Sequence, residues 1–239
     1  MKPLLDCIFQ PILNRAGNVY AFEALMRFKG YPDRSPFPVI RRWEKSGYIE
    51  MVDLMMIDII SEAVKATTWK PRIHINASVR TIEAIGNLYL DRLAVLRPLT
   101  RQLVIEITES VAINSPLLFL RFVNACRAQG YHIALDDCVP GHPYAGEKFM
   151  QSVRPSIVKI DGKFFQESMR TDDSDELDRV IRIAHQTKAS VIIEHVSSVT
   201  HQNYAFMHGA DMVQGFETSM PRQNTNCTFG EQTVNWGTK

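Results

Sequence analysis

The sequence predicts an α/β fold, specifically a TIM-like (β/α)8 barrel whose first strand is antiparallel to the second. The chain has 239 residues, a length that suits a barrel folding as a single domain over residues 1–239. Short apolar runs alternate with amphipathic stretches, a pattern typical of a parallel sheet with crossover helices. Eight such runs lie between residues 7 and 215, which is the number of strands this barrel needs.

The predicted strands follow one another along the chain as the runs CIFQPIL, VYAFEALMRF, RIHINAS, QLVIEIT, HIALDD, SIVKIDG, SVIIEHV and DMVQG. Residues 14–18 join the first two runs and are too few for a crossover helix, so these strands should form an antiparallel hairpin. Apolar residues at helical spacing predict helices over residues 51–66 and 176–186. Ser115-Pro116 caps a further helix, which ends at Gly130.

Composition excludes several classes of protein. The formal net charge is +1, so no whole-molecule field attracts nucleic acid or acidic lipid, and we expect no direct binding to either. No run reaches the ~18 apolar residues of a membrane span, and the N-terminus lacks the apolar core of a signal peptide. The cysteines, which form no CxxC motif and show no zinc spacing, are Cys7, Cys126, Cys138 and Cys227. We therefore expect a cytoplasmic protein with free thiols.

Polar side chains interrupt the predicted strands, mostly near their C-terminal ends. They are Glu23, Asn76, Glu106, Asp136, Asp137, Lys159, Glu194 and Gln214. The C-terminal ends of parallel strands meet at one face of a barrel, where active sites are built. Clustered carboxylates require neutralisation, and oxygen ligands favour Mg²⁺ or Mn²⁺ over zinc. The lysine would then stabilise charge on a substrate phosphate or orient a water.

Each of these residues taken alone also has a structural explanation. A glutamate at a strand end can be a surface or capping residue, and Asp136-Asp137 can begin a turn. Lys159 can extend to solvent at the rim of the barrel. Their occurrence on separate strands, with residue types that all suit metal or phosphate, favours a shared site.

Six short motifs follow one another along the chain. They are QPI at 10–12, EALMR at 23–27, NAS at 76–78, EITE at 106–109, KID at 159–161 and QGF at 214–216 followed by Pro221. In order and spacing they resemble the motifs of the EAL domain of bacterial cyclic-di-GMP phosphodiesterases, over roughly residues 8–221. The resemblance implies hydrolysis of one phosphodiester bond of cyclic di-GMP, which gives the linear dinucleotide pGpG.

The resemblance also implies a role for each motif residue. The metal ligands would be Glu23, Asn76, Glu106, Asp136 and Asp137, with Asp136 shared between two ions. The catalytic residues would be Lys159, which steers a water held by the two metals, and Glu194, which helps to bind or activate it. The substrate-binding residues would be Gln10, Arg27 and Gln214, with Arg27 on a phosphate and Gln10 on a guanine.

Two segments depart from the family pattern. The family follows its paired aspartates with Phe-Gly-x-Gly, whereas this chain has Cys138, Val139, Pro140 and Gly141. Val139 is β-branched, does not readily take a positive φ and precedes a proline, so we expect the loop over 138–144 to change its path or to be mobile.

The second departure follows Glu194. The family has Glu-Gly-Val-Glu, and here His195 replaces the glycine and Ser197 replaces the second acid. His195 is either a packed residue at the barrel rim or a new metal ligand.

Three functions remain open. The altered loops favour an EAL protein with weakened or lost phosphodiesterase activity that regulates motility or virulence. It would act by binding a protein such as the flagellar master transcription regulator, as some stand-alone EAL domains do. The retained ligand set favours an active Mg²⁺- or Mn²⁺-dependent phosphodiesterase, as a monomer or homodimer. The third is a barrel enzyme acting on another phosphate ester.

The segment from Phe37 to Met56 is the candidate surface for a protein partner. Aromatic residues and Arg are the types that anchor interfaces, and the segment mixes apolar residues with charged ones: Phe37, Val39, Trp43 and Tyr48 with Arg41, Arg42 and Glu44. The alternative is that these aromatic side chains pack beneath the second strand of the barrel.

Overall fold

The computed structural model describes residues 4–31, 34–108 and 112–215 of the chain. Its eight strands form a closed barrel in chain order, which confirms the predicted fold class. The strands are β1 (Leu5–Asn14), β2 (Val19–Phe28), β3 (Arg72–Ser78), β4 (Gln102–Thr108), β5 (His132–Cys138), β6 (Ile157–Ile160), β7 (Ser190–Ile193) and β8 (Met212–Val213).

From β2 onwards at least one helix separates each strand from the next. The helices are α1 (Phe37–Ser46), α2 (Ile49–Lys65), α3 (Val79–Leu93), α4 (Pro116–Ala128), α5 (Glu147–Val153), α6 (Gly162–Thr171), α7 (Asp175–Gln186) and α8 (Val199–Met207). The predicted helix over 176–186 lies inside α7, and the one over 51–66 coincides with most of α2. Within the described ranges, no helix combines the length and the apolarity needed to cross a bilayer.

A tight hairpin joins β1 and β2. The Asn14 N–H donates to the Asn18 carbonyl at 3.0 Å, and the Gly17 N–H donates to the Asn14 carbonyl at 2.9 Å. Gly17 has a φ of 77°, which a residue without Cβ adopts at little cost. β1 also runs antiparallel to β8, with Leu13 opposite Val213. The prediction of an antiparallel first strand is therefore confirmed.

The chain divides into two compact units. Among the described residues, the first takes in 4–9 and those from Glu23 to Ile133, and the second takes in those from Gln10 to Phe22 and from Ala134 to Gly215. In the first unit β3 pairs in parallel with β4 through aliphatic residues that are almost completely buried. In the second unit β6 and β7 pair in parallel and are buried in the same way.

A buried polar network secures the end of β3 in the first unit. Ser78, the N-cap of α3, donates its hydroxyl to Glu44 of α1 and its N–H to Asp53 of α2, both at 3.1 Å. The Thr81 hydroxyl also donates to Asp53. Burial raises the pKa of Asp53 to about 7 despite these hydrogen bonds. Three helices are thus tied to the strand that carries Asn76.

Candidate functional site

Two adjacent aspartates lie at a bulge near the end of β5. The register of β5 against β6 shifts between Leu135 and Cys138, on either side of Asp136 and Asp137. In a regular strand consecutive side chains point to opposite faces. The bulge and the φ of 47° at Asp137 change these directions. An oxygen of each aspartate consequently lies within 4.8 Å of the other and of an oxygen of Glu194.

A buried lysine links two of these carboxylates. Lys159 of β6 is 1% exposed, and its Nζ lies 3.0 Å from Asp136 Oδ1 and 2.8 Å from Glu194 Oε1. Glu194 directly follows β7, and its N–H donates to the Ile160 carbonyl at 3.2 Å. The pairing of β6 with β7 therefore brings Glu194 beside Lys159. Burying an ammonium group is costly unless it is paired, and the two carboxylates supply that pairing.

The crowding of negative charge perturbs Asp137. Burial, followed by the neighbouring Asp136 carboxylate, raises the pKa of Asp137 to about 6, while Lys159 opposes the shift. Asp161 also raises the pKa of Asp137. The side chain of Asp161 caps α6 by accepting the Phe164 N–H at 2.8 Å.

The donor set of this acidic cluster fits a divalent metal. The single charge of Lys159 does not balance Asp136, Asp137 and Glu194, so an additional cation would relieve the repulsion that raises the pKa of Asp137. Carboxylate oxygens suit hard cations such as Mg²⁺, Mn²⁺ or Ca²⁺. His195 is not a member of the cluster in the described part of the chain.

In the first unit Glu23 and Asn76 form a pair. Glu23 of β2 is buried, and its Oε1 accepts a hydrogen bond from Nδ2 of Asn76 at 2.9 Å. Because the amide nitrogen is directed to Glu23, the Oδ1 atom of Asn76 is the one that can ligate a metal. The structure thus brings together two of the predicted ligands within this unit.

Glu106, the third predicted ligand in this unit, pairs with a residue that sequence reasoning did not single out. Its Oε1 lies 2.6 Å from Nδ1 of His74, and both side chains are completely buried. His74 lies two residues before Asn76 in β3, so both side chains point to the same face of the strand. That spacing is the sequence signal that could have identified it.

Arg27 occupies the end of β2, four residues after Glu23. Burial lowers the pKa of Arg27, and the Glu23 carboxylate raises it. Its Nη1 donates to the Met26 carbonyl at 2.8 Å, which holds the half-buried guanidinium against the strand. A guanidinium stays charged in proteins, so Arg27 remains suited to a phosphate.

Two of the predicted substrate-binding residues meet in the second unit. Nε2 of Gln214 donates to Oε1 of Gln10 at 3.2 Å, and Gln214 is buried. The next residue is Gly215, and a larger residue is excluded there because a Cβ would collide with the backbone of Val196. The Val196 N–H donates to the Gln214 carbonyl at 3.0 Å. This close approach of two segments fixes the Gln214 side chain beside Gln10.

The loop after the paired aspartates turns without a positive φ at Val139. The left-handed residues here are Asp137 and Gly141, with φ of 47° and 82°. Cys138 is completely buried, and the His142 N–H donates to the Val139 carbonyl at 3.1 Å. Val139 thus avoids the conformation that its β-branched side chain disfavours.

His195 takes up a left-handed conformation with a φ of 52°, which explains why a glycine suits this position. Its carbonyl accepts a hydrogen bond from Nε2 of Gln166 at 3.0 Å. Its side chain lies against Gly162, where an added Cβ would overlap the histidine. Of the two alternatives for His195, the arrangement fits a rim residue packed on the start of α6.

Some motif residues lie outside the described part of the chain. They are Glu109, Phe216 and Pro221. Cys227 also lies outside it, whereas Cys7, Cys126 and Cys138 are buried free thiols.

The fold and the acidic cluster define a class: a (β/α)8 barrel protein with a carboxylate site of the metal-binding type. The chain belongs to the EAL-domain family, whose model matches residues 4–221.

Curated relatives from the family include cyclic-di-GMP phosphodiesterases. The chain is 27% identical over 220 residues to the probable cyclic di-GMP phosphodiesterase PdeG of Escherichia coli K12, covering 87% of this chain and 43% of PdeG. It is 25% identical over 221 residues to the cyclic di-GMP phosphodiesterase PdeF of the same organism, covering 89% of this chain and 29% of PdeF. The chain therefore spans less than half the length of these relatives.

Solved structures share the fold. The PaMucR phosphodiesterase in complex with c-di-GMP superposes with a TM-score of 0.76 at 23% identity, covering 91% of this chain and 92% of that one. The EAL enzyme Bd1971 in its cGMP-bound form superposes with a TM-score of 0.77 at 22% identity, covering 91% of this chain and 63% of that one.

Proposed function

We propose that this chain binds cyclic di-GMP and hydrolyses one of its phosphodiester bonds to give linear pGpG, with a turnover weakened by the changes at Cys138–Pro140 and at His195 and Ser197. The observation that carries the proposal is the cluster of Asp136, Asp137 and Glu194 around the buried Lys159. PdeG and PdeF, which the chain resembles, are named for this substrate. The structural relative PaMucR was solved with it.

Asp136 and Asp137 would hold Mg²⁺ or Mn²⁺ through the oxygens that converge in the cluster. The assignment of further ligands to Glu23, Asn76 and Glu106 rests on the family motifs. A bound divalent metal would supply a nucleophilic hydroxide at neutral pH and neutralise charge on the phosphate.

The protein's own groups would then position the reactants. Lys159 holds Asp136 and Glu194 in fixed orientations through its two ion pairs. The Glu194 carboxylate would accept a proton from the attacking water, the role of a general base. Arg27 would neutralise a substrate phosphate, and Gln10 and Gln214 would present amide groups to a guanine edge.

The experiment incubates the purified chain with cyclic di-GMP and Mg²⁺ or Mn²⁺ and measures pGpG by chromatography. Loss of the base in Glu194→Gln should lower the rate by about a hundredfold or more. Glu147→Gln, the same change at an exposed position of α5, is the matched control and should leave the rate unaltered. Absence of pGpG from the unsubstituted protein with both metals would reject hydrolysis.

A second candidate function is regulation through a protein partner, and one surface favours it. The Trp43 ring packs edge-on against Phe28 of β2, with centroids 6.3 Å apart. This contact is the one expected if the aromatic side chains of the segment pack beneath the second strand. Phe37 and Tyr48 nevertheless stay 52% and 49% exposed. Arg41 lies over the Phe37 ring at 5.0 Å.

We define the α1 surface as the exposed side chains of Phe37, Arg41, Arg42 and Tyr48. Aromatic rings beside guanidinium groups are typical of the anchors of protein interfaces. We therefore propose a protein partner that covers the α1 surface, and a transcription regulator of motility is the candidate. We also propose that the protein acts in the cytoplasm as a monomer or homodimer, with neither nucleic acid nor a membrane as a direct partner.

A further inference from the structure

The most completely buried ionisable pair in the described first unit joins His74 and Glu106. Neither side chain has any exposed surface, and the Nδ1 and Oε1 atoms are 2.6 Å apart. A metal-binding Glu106 would be ionised, and an ionised carboxylate only accepts hydrogen bonds, so Nδ1 would carry the proton and donate it to Glu106. A short contact of this kind with a charged acceptor is stronger than a neutral hydrogen bond.

The strand register explains how the pair forms. Asn76 and Glu106 are direct partners in the parallel ladder of β3 and β4, and His74 is opposite Val104. Side chains two residues apart point to the same face of a strand. His74 therefore lies one step below Asn76 on the same face, from which its ring reaches the Glu106 carboxylate.

Hydrogen bonds to the oxygens of a carboxylate set the direction in which its lone pairs point. Ordering a glutamate side chain costs up to about 2 kcal/mol of rotamer entropy, and a binding site that needs it in one orientation must overcome that cost. The contact with His74 fixes Oε1 of Glu106 and thereby the direction of Oε2. Partners that orient a ligand in this way tune the affinity of metal sites.

We propose that His74 is a positioning residue, which holds Glu106 in the orientation that binds a divalent metal. This inference rests on the proposed function, because it takes Glu106 as a metal ligand. It assigns to His74 a role in metal affinity and not in the chemical step.

The test exploits the two nitrogens of the imidazole ring. The amide nitrogen of asparagine occupies nearly the position of histidine Nδ1, whereas that of glutamine occupies nearly the position of Nε2. His74→Asn therefore keeps the donor to Glu106, and His74→Gln moves it away. His74→Leu removes the donor while filling a similar volume, and Glu106→Gln removes the ligand charge itself.

The primary measurement is Mn²⁺ affinity, by calorimetry or by the spin-resonance signal of free Mn²⁺, on proteins shown to be folded by circular dichroism. We expect His74→Leu and His74→Gln to weaken Mn²⁺ binding by about 10- to 100-fold. His74→Asn should bind close to the unsubstituted protein. Saturating Mn²⁺ should restore pGpG formation in His74→Gln but not in Glu106→Gln.

Equal affinities for the asparagine and glutamine variants would overturn the inference, even if the leucine variant failed to fold. If Glu106→Gln lost Mn²⁺ binding while every His74 variant kept it, Glu106 would be supported as a metal ligand. Only the positioning role of His74 would then be rejected. If the unsubstituted protein bound no Mn²⁺, the proposed function would fail and the role of His74 with it.

Discussion

One residue of the acidic cluster and the residue that follows Glu194 hold backbone conformations that side chains seldom adopt. Asp137 and His195 have φ of 47° and 52°. Asp is among the residues that tolerate this region best, because its short polar side chain can hydrogen-bond locally. His195 is bulkier, and it is accommodated only because Gly162 leaves room for it. Strain of this kind costs on the order of 1–3 kcal/mol and concentrates at functional sites.

We expect His195→Gly to stabilise the protein. Relief of the left-handed conformation should raise the free energy of unfolding by about 1 kcal/mol, after the greater entropy of glycine in the unfolded chain is counted. The turnover of cyclic di-GMP should also rise, because residue 195 directly follows Glu194 and the histidine is one of the changes proposed to weaken catalysis. Urea unfolding and pGpG formation measure the two effects.

Lys188→Gly is the matched control. Lys188 is exposed, has a φ of 66° and follows the end of α7. It should gain comparable stability with no change in turnover. A loss of stability in His195→Gly would mean that packing of the histidine on α6 outweighs the backbone strain.

At the scale of single elements, β5 shows what a sequence pattern reveals and what it leaves hidden. The pair Asp136-Asp137 at the end of an apolar run predicts a polar strand end, but a regular strand would separate the two side chains. The bulge between Leu135 and Cys138 brings their oxygens together, and a bulge is not visible in the alternation of residues. Val139 was expected to be unsuited to a positive φ, and the turn has this conformation at Asp137 and Gly141 instead. A loop path that differs from the family's stays a prediction.

The protonation of the buried Asp53 affects the stability of the network at the end of β3. The pKa of Asp53 is raised to about 7, mainly by burial, from an ordinary value of 3.8. Between these values the folded state binds more protons than the unfolded state, so stability is greatest at the acidic end of the window and falls as pH rises towards 7. Asp53 at neutral pH therefore weakens the network that ties α1, α2 and α3 to β3.

Asp53→Asn should reduce this dependence, since asparagine does not ionise and its oxygen still accepts from Ser78. Each unit of pKa shift corresponds to about 1.4 kcal/mol. The substitution should therefore remove a decrease of a few kcal/mol in the free energy of unfolding between pH 4 and pH 7. Unfolding free energies from urea titrations at several pH values measure it. The exposed Asp58→Asn on the same helix should keep the original slope, and equal slopes for Asp53→Asn and the unsubstituted protein would contradict the prediction.

At the scale of the whole molecule, the order of elements was predictable and the pairing of side chains was not. Apolar runs alternating with helices predict the barrel, because burial on both faces demands continuous apolar strands. Polar interruptions identified Glu23, Asn76 and Glu106, but the contact of His74 with Glu106 depends on the register of β3 against β4. Register is a property of two strands and cannot be obtained from either one alone. That residues 1–239 act as one EAL domain stays a prediction.

Catalysis and partner binding can be separated by substitutions at two different sites. If the α1 surface binds a regulator, the double variant Arg41→Glu/Arg42→Glu should abolish regulation of motility, because reversed charges repel the acidic groups that guanidinium anchors require. Its pGpG formation should be unchanged. Glu23→Ala should do the opposite, since loss of a predicted metal ligand stops hydrolysis and leaves the α1 surface intact.

The control Arg179→Glu/Arg182→Glu makes the same charge change on exposed positions of α7 and should preserve both functions. Swimming motility is measured with each variant expressed at an equal level. Loss of regulation in folded Glu23→Ala, together with its retention in the α1 double variant, would assign the effect on motility to hydrolysis alone.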